Sequence, residues 1–309
     1  MDVDTVRIGL IGPGRLGTAL GLSLARHGCG VRAVAGRNAQ VASALVSRIE
    51  GCRHTSAQAL ADSCDLVFIA TPDDAIAPTA RSLRWRSGMG VVHCSGVTEV
   101  AALDKAAGDG ALIGGFHPMQ TFGDPEAAAR SLQGCTITVE AEGPLNTLLI
   151  ALVERLGCRL NQLPPGSRAR YHAAAGYASQ FVNVLLREAC TIWQSWGATE
   201  DAALRALLPL VRGTLASIEG VGLAAGMPGP VSRGDVGSVV KHVDALADLG
   251  TPTSIFYRMM CERTITLAQE RPGGIDEDTG ARIRQVLEGA ARGVTPAPGP
   301  GRAAVTIDP

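Results

Sequence analysis

The chain has 309 residues, 46% hydrophobic and 18% charged, with a formal net charge of −1. That is enough apolar material for one large domain or two smaller ones, and too much for a disordered chain. The balanced charge gives no electrostatic reason to expect nucleic acid or an anionic membrane surface as a partner.

Seven short apolar runs follow one another from Val6 to about Leu163, at 6–12, 31–36, 65–71, 90–96, 111–116, 135–140 and 158–163. Apolar without strict alternation, they suit strands buried on both faces. The helical segments between them predict βαβ units and a Rossmann-type, doubly wound parallel sheet. The first strand leads into "GPGRLG", with Gly12, Gly14 and Gly17 before a helix that starts with Arg15 and Leu16. In that position the glycines suit a phosphate-binding turn: one for the tight bend, one for close backbone approach and one for helix–sheet packing. A glycine-rich turn without a ligand is the plainer alternative.

The second strand ends "AGRN", so Gly36 stands where an NAD site carries an acid, with Arg37 and Asn38 after it. Arg37, with Arg15 nearby, can pair with a 2′-phosphate, or it is a solvated surface arginine. NADP(H) is the cofactor expected. The third strand ends "ATPDDAI", which places Thr71 and Pro72 under the nucleotide and Asp73 and Asp74 as caps of the next helix. The fourth ends "HCSG", adding Ser95 at the carboxyl edge. The fifth runs into "GGFHPMQTF", so His117, Gln120 and Thr121 are expected in the cleft, with Phe116 and Phe122 excluding water. A capped turn in which His117 bonds only the backbone is the alternative.

After "PPGS" (164–167) the pattern becomes helical, with one long helix predicted from about Ser167 to Trp196 and others at 199–219, 235–249, 251–270 and 276–292. The expected organisation is a cofactor domain over 1–164, an all-helical domain over 165–292 and a disordered tail over 293–309. On the long helix, at about 100° per residue, His172, Ser179 and Asn183 fall on one stripe. Arg233, in "GPVSRGD", is placed either to hold a substrate carboxylate or to pair with Asp235, itself a plausible N-cap.

The eight cysteines form no CxxC pair and read as free thiols of a reducing compartment. The six histidines lack metal-ligand spacing, so no metal is expected. The acidic N-terminus runs straight into a strand and is no signal peptide. No apolar run reaches the roughly 20 residues of a membrane span. The expected location is the cytoplasm.

Taken in order, "GPGRLG", "ATPDD", "HCSG", "GxFHPMQTF", "YHAAA" and "GPVSRGD" resemble a family of bacterial Rossmann-like proteins with a helical C-terminal domain of formerly unknown function. These are related to NADP-dependent reductases of the 6-phosphogluconate dehydrogenase type, including ketopantoate and pyrroline-5-carboxylate reductases. The resemblance spans about residues 5–290. It implies NADP binding by the first domain and a homodimer formed through the second, and it fixes no substrate. The related reductases carry a Lys and an Asn on the helix corresponding to 167–196. Here the only lysines are Lys105 and Lys241, so ketopantoate-type chemistry requires His172 in the lysine's place; a structural histidine is the alternative. The function expected is NADPH-dependent reduction of a small carboxylated C=O or C=N substrate in an interdomain cleft, with His117 or His172 donating the proton. A non-catalytic NADP-binding or sensing protein is the competing class.

Overall fold

The computed structural model describes residues 2–292; the predicted tail, 293–309, lies outside them. Eight strands, β1 (Ile8–Ile11), β2 (Val31–Ala35), β3 (Arg53–His54), β4 (Leu66–Ile69), β5 (Gly90–His93), β6 (Leu112–Met119), β7 (Thr136–Ala141) and β8 (Arg159–Gln162), form one sheet. Their spatial order is β3-β2-β1-β4-β5-β6-β7-β8. All seven predicted strands are present. β3 is an addition, because its two exposed residues carry no apolar signal. β1 to β6 pair in parallel. β7 runs antiparallel to β6, and β8 parallel to β7, so the sheet departs from the all-parallel expectation at this edge. The order reverses between β1 and β4, the switch point at which doubly wound sheets bind ligands.

Eight helices accompany the sheet: α1 (Arg15–Arg26), α2 (Ala39–Val46), α3 (Ala57–Ser63), α4 (Asp73–Arg81), α5 (Asp104–Gly108), α6 (Pro125–Ser131), α7 (Gly143–Arg155) and α8 (Arg168–Ala178). Neighbouring residues of one strand feed different cores. Leu10 and Phe68 pack with Leu20, Phe116 and Leu149; Ile11 and Ile69 pack with Ile76, Val91 and Leu103. Both faces are therefore covered, which explains the unbroken apolar runs. Phe116 does not shield the site as expected. It is fully buried, edge-on to Phe68 with ring centroids 5.3 Å apart, because alternate residues of β6 face opposite sides of the sheet.

Two compact units make up the fold, the first ending at Gln180 and the second starting at Phe181. The change to helical pattern near Pro164–Pro165 thus precedes the division, since α8 stays with the sheet. The second unit holds α9 (Gln180–Gln194) from Phe181 onward, α10 (Glu200–Val221), α11 (Val236–Ala247), α12 (Thr251–Gln269) and α13 (Glu277–Arg292). Val239, Ile265 and Ile283 form its core. Asp235 caps α11, its Oδ1 accepting the Ser238 amide at 3.0 Å.

One expected helix is two. The run from Ser167 to Trp196 breaks at Ser179, which sits at φ −127°, ψ −84° and donates its hydroxyl to the Ala175 carbonyl at 2.8 Å. Back-bonding of this kind competes with helix continuation. The common helical stripe of His172, Ser179 and Asn183 therefore ends at the break. His172 belongs to the first unit and Asn183 to the second.

Candidate active site

The loops after β1, β2 and β4 border a cleft of about 1130 Å³, lined by Gly12, Gly14, Gly36, Arg37, Thr71 and Pro72 among others. Gly12 has φ +96°, and a Cβ there would lie 2.8 Å from the Ala70 carbonyl oxygen. A Cβ on Gly17 would collide with the Gly12 carbonyl, so this glycine sets how close α1 lies to the turn. Around Gly14, by contrast, a Cβ meets nothing within 4 Å. The start of α1 has no side-chain cap and no acidic residue in its first turn, whereas Asn38 caps α2 and Ser56 caps α3. Uncapped amides and the helix dipole facing open space form an anion cradle.

The remaining residues of this loop set differ in availability. Among the described residues the buried Oγ1 of Thr71 has no hydrogen-bond partner. Arg15 and Arg37 are exposed, and among the described residues neither has an ion-pair partner. Leu16 packs its side chain against the sheet core. The Asn38 side-chain oxygen is engaged by the amides of Gln40 and Val41. Ser95 closes its own turn, its Oγ accepting the Val97 and Thr98 amides. Cleft, cradle, orphaned hydroxyl and unpaired arginine suit a dinucleotide with a terminal phosphate.

A second cluster forms where α8 crosses the end of β6. In the β6–β7 pair Gly115 lies opposite Glu140 and His117 opposite Thr138, so these four share a face. Arg168, Tyr171 and His172, at helical spacing on α8, come down on it. The Tyr171 hydroxyl is 2.7 Å from His117 Nδ1, and the His117 and His172 ring centroids are 6.2 Å apart. Asn161 donates to the Thr138 hydroxyl at 3.0 Å. Fully buried Arg168 donates to Glu140 Oε2 at 2.5 Å and to the Ser95 carbonyl at 2.8 Å. Two glycines make room: a Cβ on Gly115 would overlap the Arg168 guanidinium, and one on Gly96 would lie 2.6 Å from His172 and 2.9 Å from His117.

Burial, followed by the neighbouring His172 and Arg168, pushes His117 down to about 4, with Asp73 at the start of α4 opposing the shift. Burial likewise lowers His93 to about 3. It raises Tyr171, with the Thr138 hydroxyl opposing that shift. At neutral pH His117 is therefore an uncharged imidazole and Tyr171 keeps its proton. Unfolding frees both histidines to protonate near their ordinary 6.5. The unfolded protein then binds more protons below that pH, and stability falls as pH drops from 6.5 toward 4. Thermal melts across this range should show a steady decline that is shallower in His117→Asn; a flat profile would contradict the burial of both rings.

The other expected residues are placed differently. Gln120 donates from Nε2 to the Ser131 carbonyl and accepts the Thr121 amide, tying the loop to itself. Thr121 is exposed. Arg233 is exposed in a short turn of the second unit and lowers the Asp235 carboxyl only as a minor cause, after the bonds from Ser238. Sequence reasoning misses Tyr171, Arg168 and Glu140. Helical spacing puts Tyr171 on the apolar face of the predicted helix, and only the adjacency "YH" hints at a joint role.

A cleft at the switch point and a half-buried His–Tyr pair beyond the carboxyl end of β5 fit a Rossmann-type oxidoreductase. Residues 7–95 match the family described as NADP oxidoreductase, coenzyme F420-dependent, and residues 135–264 match a domain of unknown function, DUF2520. The chain thus carries an NADP oxidoreductase module followed by a DUF2520 module. No curated protein matches it. Among solved structures it is similar to a Thermotoga maritima protein, at 21% identity over 85% of this sequence and 98% of that one, TM-score 0.69. A reductive aminase from Aspergillus terreus, in complex with NADPH and ethyl levulinate, matches at 16% identity over 92% and 99%, TM-score 0.60. The 1-pyrroline-5-carboxylate reductase of Streptococcus pyogenes matches at 14% over 93% and 98%, TM-score 0.57. At these identities the likeness is one of fold.

Proposed function

We propose that the protein is an NADPH-dependent reductase of a small carboxylated C=O or C=N substrate, a 2-keto acid or a cyclic imine. The observation that carries this reading is the 2.7 Å pair of His117 and Tyr171, on the face that α8 shares with the carboxyl end of the sheet. Bound NADPH would supply a hydride. The cradle at Gly14 and the amides of α1 hold its pyrophosphate, and Arg37 pairs with its 2′-phosphate. Tyr171, kept protonated by burial, gives up a proton to the reduced group, while His117 orients its hydroxyl and Thr138 with Asn161 steadies it from behind. In this reading the acid is Tyr171 rather than His117, because the partly buried His117 ring is neutral at pH 7. Fold neighbours include a reductive aminase and a 1-pyrroline-5-carboxylate reductase, which supports the substrate class. A homodimer through the helical unit fits the exposure of Leu210 (64%), Leu215 (54%) and Val221 (62%) on α10.

The test is turnover in Tyr171→Phe. Its kcat for NADPH oxidation should fall on the order of a hundredfold, with NADPH affinity and melting temperature nearly unchanged. Full activity in this variant would remove Tyr171 from the reaction.

A further inference from the structure

We propose that the Pro13 ring acts as a steric gate for cofactor choice, keeping an acidic side chain away from the end of β2. The inference rests on the NADPH reading above and adds the reason why a single substitution cannot reverse it. Gly36 follows the last residue of β2, where an acid would meet the ribose hydroxyls of NADH. Gly36 is not among the glycines with positive φ, so its backbone does not itself demand glycine. A Cβ at Gly36 would lie 2.5 Å from Pro13 Cδ and 2.7 Å from Pro13 Cγ, well inside the roughly 3.5–4.0 Å of ordinary carbon contact.

The ring has little freedom to retreat. It is tied to its own backbone, Pro13 is buried, and its carbonyl accepts the Thr18 hydroxyl at 3.1 Å. On its other side Gly12 lies against the Ala70 carbonyl. The glycine turn and the end of β2 are therefore coupled. The proline that shapes one removes the carboxylate from the other, and the adjacent Arg37 provides the cation that the 2′-phosphate needs.

The experiment measures the affinities of NADPH and NADH, and the melting temperature without nucleotide, for the wild type, Gly36→Asp and Pro13→Ala/Gly36→Asp. Wild type should bind NADPH at least about tenfold more tightly than NADH, the factor of one charge-assisted contact. Gly36→Asp should melt lower and gain no NADH affinity. The double variant should recover the lost melting temperature and bind NADH at least about tenfold more tightly than Gly36→Asp does, with NADPH weakened. A single variant that gains NADH affinity as strongly as the double would overturn the gate, as would a folded double variant with no gain. If the aspartate variants do not fold, Gly36→Ala and Pro13→Ala/Gly36→Ala decide it by melting alone: recovery supports the gate and its absence overturns it. Equal wild-type affinities would defeat the NADPH reading instead, leaving the steric coupling to stand or fall on the melting temperatures.

Discussion

Gly14→Val should leave the protein folded and unable to bind NADPH. Gly14 has φ −70° and ψ −168°, extended backbone that a β-branched residue adopts readily, and a Cβ there meets nothing within 4 Å. The melting temperature should therefore move by about a degree or two at most, as for a surface substitution. The isopropyl group would fill the space over the uncapped amides of α1, where the pyrophosphate must sit. Calorimetric titration should show NADPH affinity reduced by more than about a hundredfold. Gly17→Val should fail for the opposite reason, since its Cβ collides with the Gly12 carbonyl and the loss would appear in the fold. Unchanged NADPH affinity in folded Gly14→Val would remove the phosphate cradle.

Glu140→Leu should cost about 3–5 kcal/mol of stability, because it leaves the Arg168 guanidinium buried without its counter-charge. The Arg168 side chain has 0% exposure and that of Glu140 14%. The guanidinium lies against Gly115, so it has no space in which to turn toward solvent. Urea denaturation should report the loss as a lower midpoint with an unchanged slope. Arg168→Met/Glu140→Leu should regain most of it, since apolar replacement of both partners removes the uncompensated charge. A loss below about 1 kcal/mol in the single variant would mean that the pair behaves as an exposed one.

The strands are legible in the sequence because β1, β4 and β5 are buried at every residue; two-sided burial writes itself as an apolar run. The glycine turn is legible because its chemistry is local to six residues. The direction of β7 is not, since its antiparallel pairing with β6 depends on how the connection from Gln120 to Cys135 folds back. The long helix looks continuous because a lone glycine such as Gly176 is tolerated inside a helical pattern and no proline follows it before Ser179, where a side-chain bond to the Ala175 carbonyl accompanies the break. Tyr171 falls on the wrong face for a related reason. Helical spacing groups it with apolar residues, while its partner His117 lies 54 positions away on a strand. Gly96 and Gly115 look like ordinary turn and strand glycines. Their role appears only once His172, His117 and Arg168 are seen occupying the space a side chain would need.

The most direct measurement is steady-state oxidation of NADPH by the unmodified protein with a panel of 2-keto acids and cyclic imines, each with and without a carboxylate. A reductase built around the His117–Tyr171 pair should turn over at least one carboxylated member and prefer it to the analogue lacking that group. Tight NADPH binding with no turnover across the panel would contradict the account and make the protein a non-catalytic NADP-binding one.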